Sequence, residues 1–241
     1  MTDFTHAGYL RLLRSIQDLG YKVGPLRDFP ESGPAVILRH DIDFSVQKAL
    51  EMAKLDVEGG TRATFFVLLT APYYNPLTPE NIRALQEMAA MGHELGLHYD
   101  CSYFEGLSEA QMQERVRVSI QLLELYVGAP FTSIAQHKPS TSKIRPRLAE
   151  YRDAYSAAFF EDIAYLSDSR MRFGAPDVDA FFRTHPRSQL LIHPLWWNET
   201  VMTREEIFAN LVREATAGVA AEADADLGGI QAFLQRLNAA Q

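Results

Sequence analysis

Cysteine is nearly absent: Cys101 stands alone, so no intramolecular disulfide framework can hold this chain together. Long apolar runs are absent too. There is no stretch of about 18 apolar residues, and the start, Met1-Thr2-Asp3-Phe4-Thr5-His6, lacks a basic segment leading into an apolar one. These absences lead us to expect a cytoplasmic protein in a reducing compartment, neither secreted nor membrane-spanning. Positive charge is in deficit, with 23 Lys+Arg against 31 Asp+Glu and a net charge of −8. Such a surface repels a phosphate backbone and removes nucleic acid as a partner. The basic pairs Arg145/Arg147, Arg170/Arg172 and Arg183/Arg187 read as solvated surface, or as contacts for a single anionic sugar or nucleotide diphosphate. No linker-like segment and no internal repeat interrupts the chain, so one catalytic domain over residues 1–241 is expected.

What is present is enough apolar material, 47% of 241 residues, for a large core without staples. Its periodicity alternates. Apolar positions at Ala7, Leu10, Leu13, Ile16 and Leu19 mark a first helix from Phe4 to Gly20. Ala35–Leu38 is a short strand that runs out into Arg39-His40-Asp41, and a helix from Ser45 to Glu58 stops at Gly59-Gly60. The run Ala63–Leu69 suits a strand covered on both faces of a parallel sheet. Thr78-Pro79 caps a helix that Gly92 closes, and His93–His98 is a third strand. Ser108-Glu109-Ala110-Gln111 is a capping box, with Leu107 placed to staple Met112, for a helix running to Gly128. Strands follow at Phe131–Gln136, Ile163–Ser167 and Leu190–His193. A second capping box at Thr203–Glu206 opens a long helix, with a separate last one over Ile230–Leu237. Alternating strands and helices imply an α/β fold on a parallel sheet, closed as a barrel or open.

In such sheets, sites gather at the C-terminal strand ends. Here those ends carry His40, Asp41 and Asp43 on the first strand, His98 and Asp100 on the third, His137 on the fourth, Asp168 on the fifth and His193 on the last. Singly, each has an ordinary explanation: Asp43 can cap the helix at Ser45, and a lone loop histidine is usually just hydrogen-bonded. Four of the seven histidines on one face call for a metal or acid/base site. Mixed carboxylate and imidazole donors with an open position suit Zn²⁺ or a similar divalent ion, which lowers the pKa of bound water to about 7 and polarises a carbonyl. Asp41 and Asp43 are two apart; where the backbone turns, one can bind metal while the other acts as base.

The strings Ile37-Leu38-Arg39-His40-Asp41-Ile42-Asp43, Ala63-Thr64-Phe65-Phe66-Val67, Gly92-His93-Glu94-Leu95-Gly96-Leu97-His98 and Leu191-Ile192-His193-Pro194 together resemble the polysaccharide deacetylases of the NodB-homology, carbohydrate esterase family 4 type. The resemblance spans roughly residues 35–198. It implies a distorted, incomplete (β/α) barrel, a divalent metal, and removal of acetyl groups. Matched by motif, Asp41 resembles the catalytic base, Asp43 and His98 metal ligands, and His193 the catalytic acid. The Arg-His-Asp-x-Asp start and Ile-His-Pro-x-Trp-Trp end look most like deacetylase-like proteins of bacterial O-antigen and surface-polysaccharide biosynthesis. The substrate implied is an acetamido sugar, nucleotide- or lipid-linked forms included.

Two departures stand out. The second metal histidine of the family falls four residues after the first, where this chain has Ser102; His137 is the first choice for the third ligand, with His40 and Asp100 behind it. The family's arginine-bearing motif corresponds to Gln136-His137-Lys138-Pro139-Ser140, leaving Arg39 to steady the base. His93 reads as structural, His6 and His185 as incidental, and Cys101 lacks support as a nucleophile. Trp196-Trp197 and Tyr73-Tyr74 are rim packing or flat faces for a sugar ring. The rivals to a deacetylase are a hydrolase of another amide, formyl or cyclic, and a catalytically silent carbohydrate-binding relative.

Overall fold

Among the described residues, eight parallel strands form one sheet in the order β6-β5-β4-β3-β2-β8-β7, with β1 paired to β2 off this path. The computed structural model describes residues 3–142, 144–175 and 177–239. The strands are β1 (Lys22–Gly24), β2 (Ala35–Ile42), β3 (Thr64–Leu68), β4 (Glu94–Asp100), β5 (Phe131–His137), β6 (Arg152–Asp153), β7 (Ala164–Ser167) and β8 (Arg187–Ile192). The helices are α1 (His6–Asp18), α2 (Val46–Glu58), α3 (Pro79–Ala90), α4 (Glu109–Val127), α5 (Val178–Thr184) and α6 (Arg204–Ala239). The chain falls into two compact units, residues 1–201 and 202–241. Among the described residues, no helix is long and apolar enough to cross a membrane.

The sheet curls into an incomplete (β/α) barrel. β6 lies four places from β2 along the sheet, yet Ala154 and Tyr155, just past β6, join Ile37 of β2 and Phe66 of β3 in one buried cluster. Gln189 of β8 donates from Nε2 to the Ala154 carbonyl at 3.0 Å, closing the same gap from the other side. The concave face is therefore lined by alternate residues: Ile37, Arg39 and Asp41 on β2, Gly96 and His98 on β4, Ser133, Ala135 and His137 on β5, and Gln189 on β8. Gly96 is required there, because a Cβ would fall 2.5 Å from Ser133 Oγ and 2.6 Å from Phe66 Cε1.

The helix signals act as their chemistry demands. Ser45 Oγ accepts from the Lys48 amide and Thr78 Oγ1 from the Asn81 amide. The Ser108/Gln111 capping box forms in full, and Gly128 ends α4 at φ 71°. Thr203 and Glu206 make the second box. Three expectations change. β2 is longer than its apolar run, because Arg39, His40 and Asp41 continue pairing with β3, and Arg39 and His40 with β8 as well. The strands β1 and β6, of three and two residues, and the helix α5, of seven, are too short to show a period. The separate helix over 230–237 is instead the end of α6, which runs through Gly228-Gly229; two glycines at about 1 kcal/mol each do not outweigh the Ala, Leu, Glu and Gln around them.

Candidate metal centre and acid/base site

Three candidate ligands converge from three strand ends. Asp43 lies one residue beyond β2, where the chain bends; the capping of α2 falls to Ser45, which leaves the Asp43 carboxylate free for other work. His98 on β4 donates from Nδ1 to the Ala135 carbonyl at 3.0 Å, a bond that fixes its tautomer and turns Nε2 inward. His137 ends β5, two residues past the Ala135 that pairs with His98. His98 Nε2 is 3.3 Å from Asp43 Oδ1, His137 Nδ1 is 3.3 Å from the same oxygen, and the two nitrogens are 3.2 Å apart.

This near-equilateral triangle fits a small tetrahedral ion: donors about 2.0–2.1 Å from such an ion lie about 3.3–3.4 Å from one another. Asp43 Oδ1 is a buried oxygen without a well-directed hydrogen bond among the described residues, although two imidazoles face it. Burial raises the Asp43 carboxyl, but the His137 and His98 imidazoles more than offset that and hold it far below the usual carboxylate range. Two imidazoles and a carboxylate are the donors expected for Zn²⁺ with an open fourth position. His40 and Asp100, the fallback ligands, are not in the triangle. His40 points through the opposite face of β2, where Nε2 meets Asp56 Oδ2 at 3.1 Å and Tyr9 Oη at 3.3 Å, because neighbours along a strand face opposite ways. Asp100 accepts from the Ser102 amide at 2.8 Å.

Asp41 borders the triangle, with Oδ2 3.4 Å from His98 Nε2. Arg39, two residues earlier on the same face, grips it with both ends of the fork: Nε to Oδ1 and Nη2 to Oδ2, each at 2.8 Å. The guanidinium is fully buried, lies 5.0 Å from the Phe66 ring centroid and 4.6 Å from that of Tyr155, and donates to Gln189 Oε1 and Tyr155 Oη at 3.0 Å each. Burial raises the Asp41 carboxyl, yet Arg39 brings it below the ordinary value. Thus the arginine that holds the Asp41 carboxylate comes from the same strand, two residues away.

On the other side stands His193, with Nε2 3.8 Å from Asp43 Oδ2. Its Nδ1 is 2.7 Å from Asp168 Oδ1, its amide donates to both Asp168 oxygens at 3.0 and 3.1 Å, and Trp197 Nε1 donates to Oδ2 at 2.9 Å. Burial alone lowers the His193 imidazole, but the fully buried Asp168 reverses this and pushes it up to about 9. Asp168 was visible in the sequence only as an acid at a strand end; its partner was not, since 25 residues separate them. His93 is structural: the Ala63 amide donates to Nδ1 at 3.1 Å, and Nε2 donates to the Ala53 carbonyl at 3.1 Å. Cys101 donates to the Ile144 carbonyl, and burial pushes its thiol up to about 11, the reverse of a nucleophile.

No protein-family model matches the chain, and no curated protein does. Among solved structures it is similar to a family 4 carbohydrate esterase pseudoenzyme from Bacillus anthracis, at 15% identity over 80% of this chain and 67% of that one, with a TM-score of 0.45. It is likewise similar to the chitin deacetylase of Colletotrichum lindemuthianum, at 18% identity over 80% and 86% of the two chains, TM-score 0.44. A peptidoglycan deacetylase from Bdellovibrio bacteriovorus matches at 20% identity over 81% and 52%, TM-score 0.43.

Proposed function

We propose that the protein is a metal-dependent hydrolase that removes the N-acetyl group from an acetamido sugar. The observation that carries this is one constellation: a donor triangle of Asp43, His98 and His137 with edges of 3.2–3.3 Å, flanked by an arginine-clamped carboxylate and an aspartate-held imidazole. A divalent ion held by those three residues, Zn²⁺ first, supplies a Lewis acid that polarises the amide carbonyl and makes water acidic enough to attack near neutral pH. Asp41 takes a proton from the attacking water at Oδ2, the oxygen nearest the donor triangle. Arg39 keeps that carboxylate ionised and fixes its plane. His193, charged at neutral pH, gives the Nε2 proton to the departing amine, while Asp168 holds Nδ1 and absorbs the charge change.

The motif resemblance supports a substrate from surface-polysaccharide assembly of the O-antigen kind, and the sugar we propose is a nucleotide- or lipid-linked acetamido sugar acted on in the cytoplasm. The reading takes the 241 residues as one catalytic domain. It is tested by acetate release from a panel of nucleotide-linked, lipid-linked and free acetamido sugars with zinc-loaded protein. Asp41→Asn and Asp43→Ala should each abolish release; full activity in either sinks the assignment.

A further inference from the structure

Beside the acid/base groups lies a line of aromatic rings that the proposed chemistry leaves unused. Trp196 is 6.4 Å from the His193 ring, Phe44 is 5.6 Å from Trp196, and Tyr73 is 5.2 Å from Phe44, all tilted against one another by 43–55°. Phe44 directly follows the ligand Asp43 and directly precedes the cap Ser45, so its backbone is pinned on both sides. Tyr73 stands on the loop after β3, and its neighbour Tyr74 explains why that loop is held. The Tyr74 hydroxyl donates to the Ile42 carbonyl at 2.7 Å and accepts the Leu68 amide at 3.0 Å, sewing the loop onto the ends of β2 and β3.

The two adjacent tyrosines therefore have separate tasks. Tyr74 is spent internally, whereas Tyr73 is 46% exposed, one of the large side chains that folding leaves in water. An exposed ring that is nonetheless fixed binds without paying for ordering. Its occupant must offer a flat apolar face with polar edges, at the mouth of a site built to hydrolyse an amide. A pyranose ring has that form: C–H groups on its face and hydroxyls around its rim.

We infer that Tyr73, braced by Phe44, which in turn packs on Trp196, is a stacking platform for a pyranose ring of a glycan substrate. This deepens the hydrolase reading and rests on its carbohydrate part. The experiment uses the full chain freed of divalent ions with a chelator, so that nothing is turned over, and penta-N-acetylchitopentaose as probe. Titration calorimetry should show Tyr73→Phe binding as the wild type does and Tyr73→Ala binding about tenfold more weakly. Saturation-transfer NMR should mark C–H protons of one sugar ring in the wild type and lose the mark in Tyr73→Ala. Wild-type protein that does not bind, Tyr73→Ala that binds undiminished, or Tyr73→Phe that loses as much as Tyr73→Ala overturns the platform. Acetate release alongside Tyr73-independent binding overturns the platform and keeps the hydrolase; Tyr73-dependent binding without acetate release does the reverse.

Discussion

Replacing Arg39 by methionine removes the cation from a fully buried ion pair with Asp41. Arg39 is 0% exposed and Asp41 3%, and the guanidinium satisfies both carboxylate oxygens at 2.8 Å as well as Gln189 and Tyr155 at 3.0 Å. Methionine fills much of the slot between Phe66 and Tyr155 but leaves Asp41 charged and unpaired in a dry surround. Breaking a buried pair in this way costs about 3–5 kcal/mol, because the remaining charge keeps its desolvation penalty and loses its compensation. Removing both charges in Arg39→Met/Asp41→Asn should recover about half of that loss, so the double-mutant cycle should report a coupling of about 2 kcal/mol or more. Urea unfolding followed by circular dichroism measures each stability, with an unchanged m-value showing that compactness is preserved. The folded pKa of Asp41 lies below its unfolded value, so its share of stability is present above about pH 4 and is lost as the pH falls through the folded value. Arg39→Met should flatten that acid limb. A single substitution costing under about 1 kcal/mol, the range of exposed pairs, or a cycle with no coupling, refutes the reasoning.

Zinc affinity should fall by more than about 100-fold in His137→Ala, beyond what loss of a merely supporting partner costs, and stay unchanged in Asp100→Ala; competition against a chromophoric chelator reads both. Asp168→Asn keeps the shape beside His193 but drops the charge that raises its imidazole, so kcat for acetate release should decline by about 10²–10⁴-fold, the scale of general acid catalysis; retention of near wild-type kcat argues against the dyad. His93 is held neutral, with its folded value lowered to about 4 by burial, while the unfolded chain takes its proton near 6.5. Its contribution is whole above that pH and shrinks as the pH falls, by about 2 kcal/mol at pH 5. Unfolding midpoints at pH 7 and pH 5 should therefore differ less in His93→Gln than in the wild type.

The strands at the centre of the sheet were legible because they are dense in β-branched and aromatic residues, and the helix starts because Ser45, Thr78, Ser108 and Thr203 bring their own capping chemistry. Asp41, Asp43, His98, His137 and His193 could be grouped for one reason: parallel strands deliver their C-terminal ends to the same side. Adjacent residues were harder to separate. Asp43 taken alone reads more readily as a helix cap, a role that Ser45 fills in the structure, and His40 reads as a fallback ligand, although the pleat of β2 sends it to Asp56. Gly228-Gly229 hides the extent of α6 in the sequence, because glycine pairs punctuate loops more often than they interrupt a helix.

Residue types and their order along the chain are local properties, and they were sufficient to name the α/β class, the strand ends and the chemistry of imidazole beside carboxylate. Which imidazole meets which carboxylate is not local. The pairing of Asp168 with His193, the placing of His137 within 3.3 Å of Asp43, and the split of Tyr73 from Tyr74 depend on strand register, on the curl that brings Tyr155 back to β2, and on the direction each Cβ leaves the pleat. Those are set by packing across the whole barrel, so only the tertiary structure could decide them.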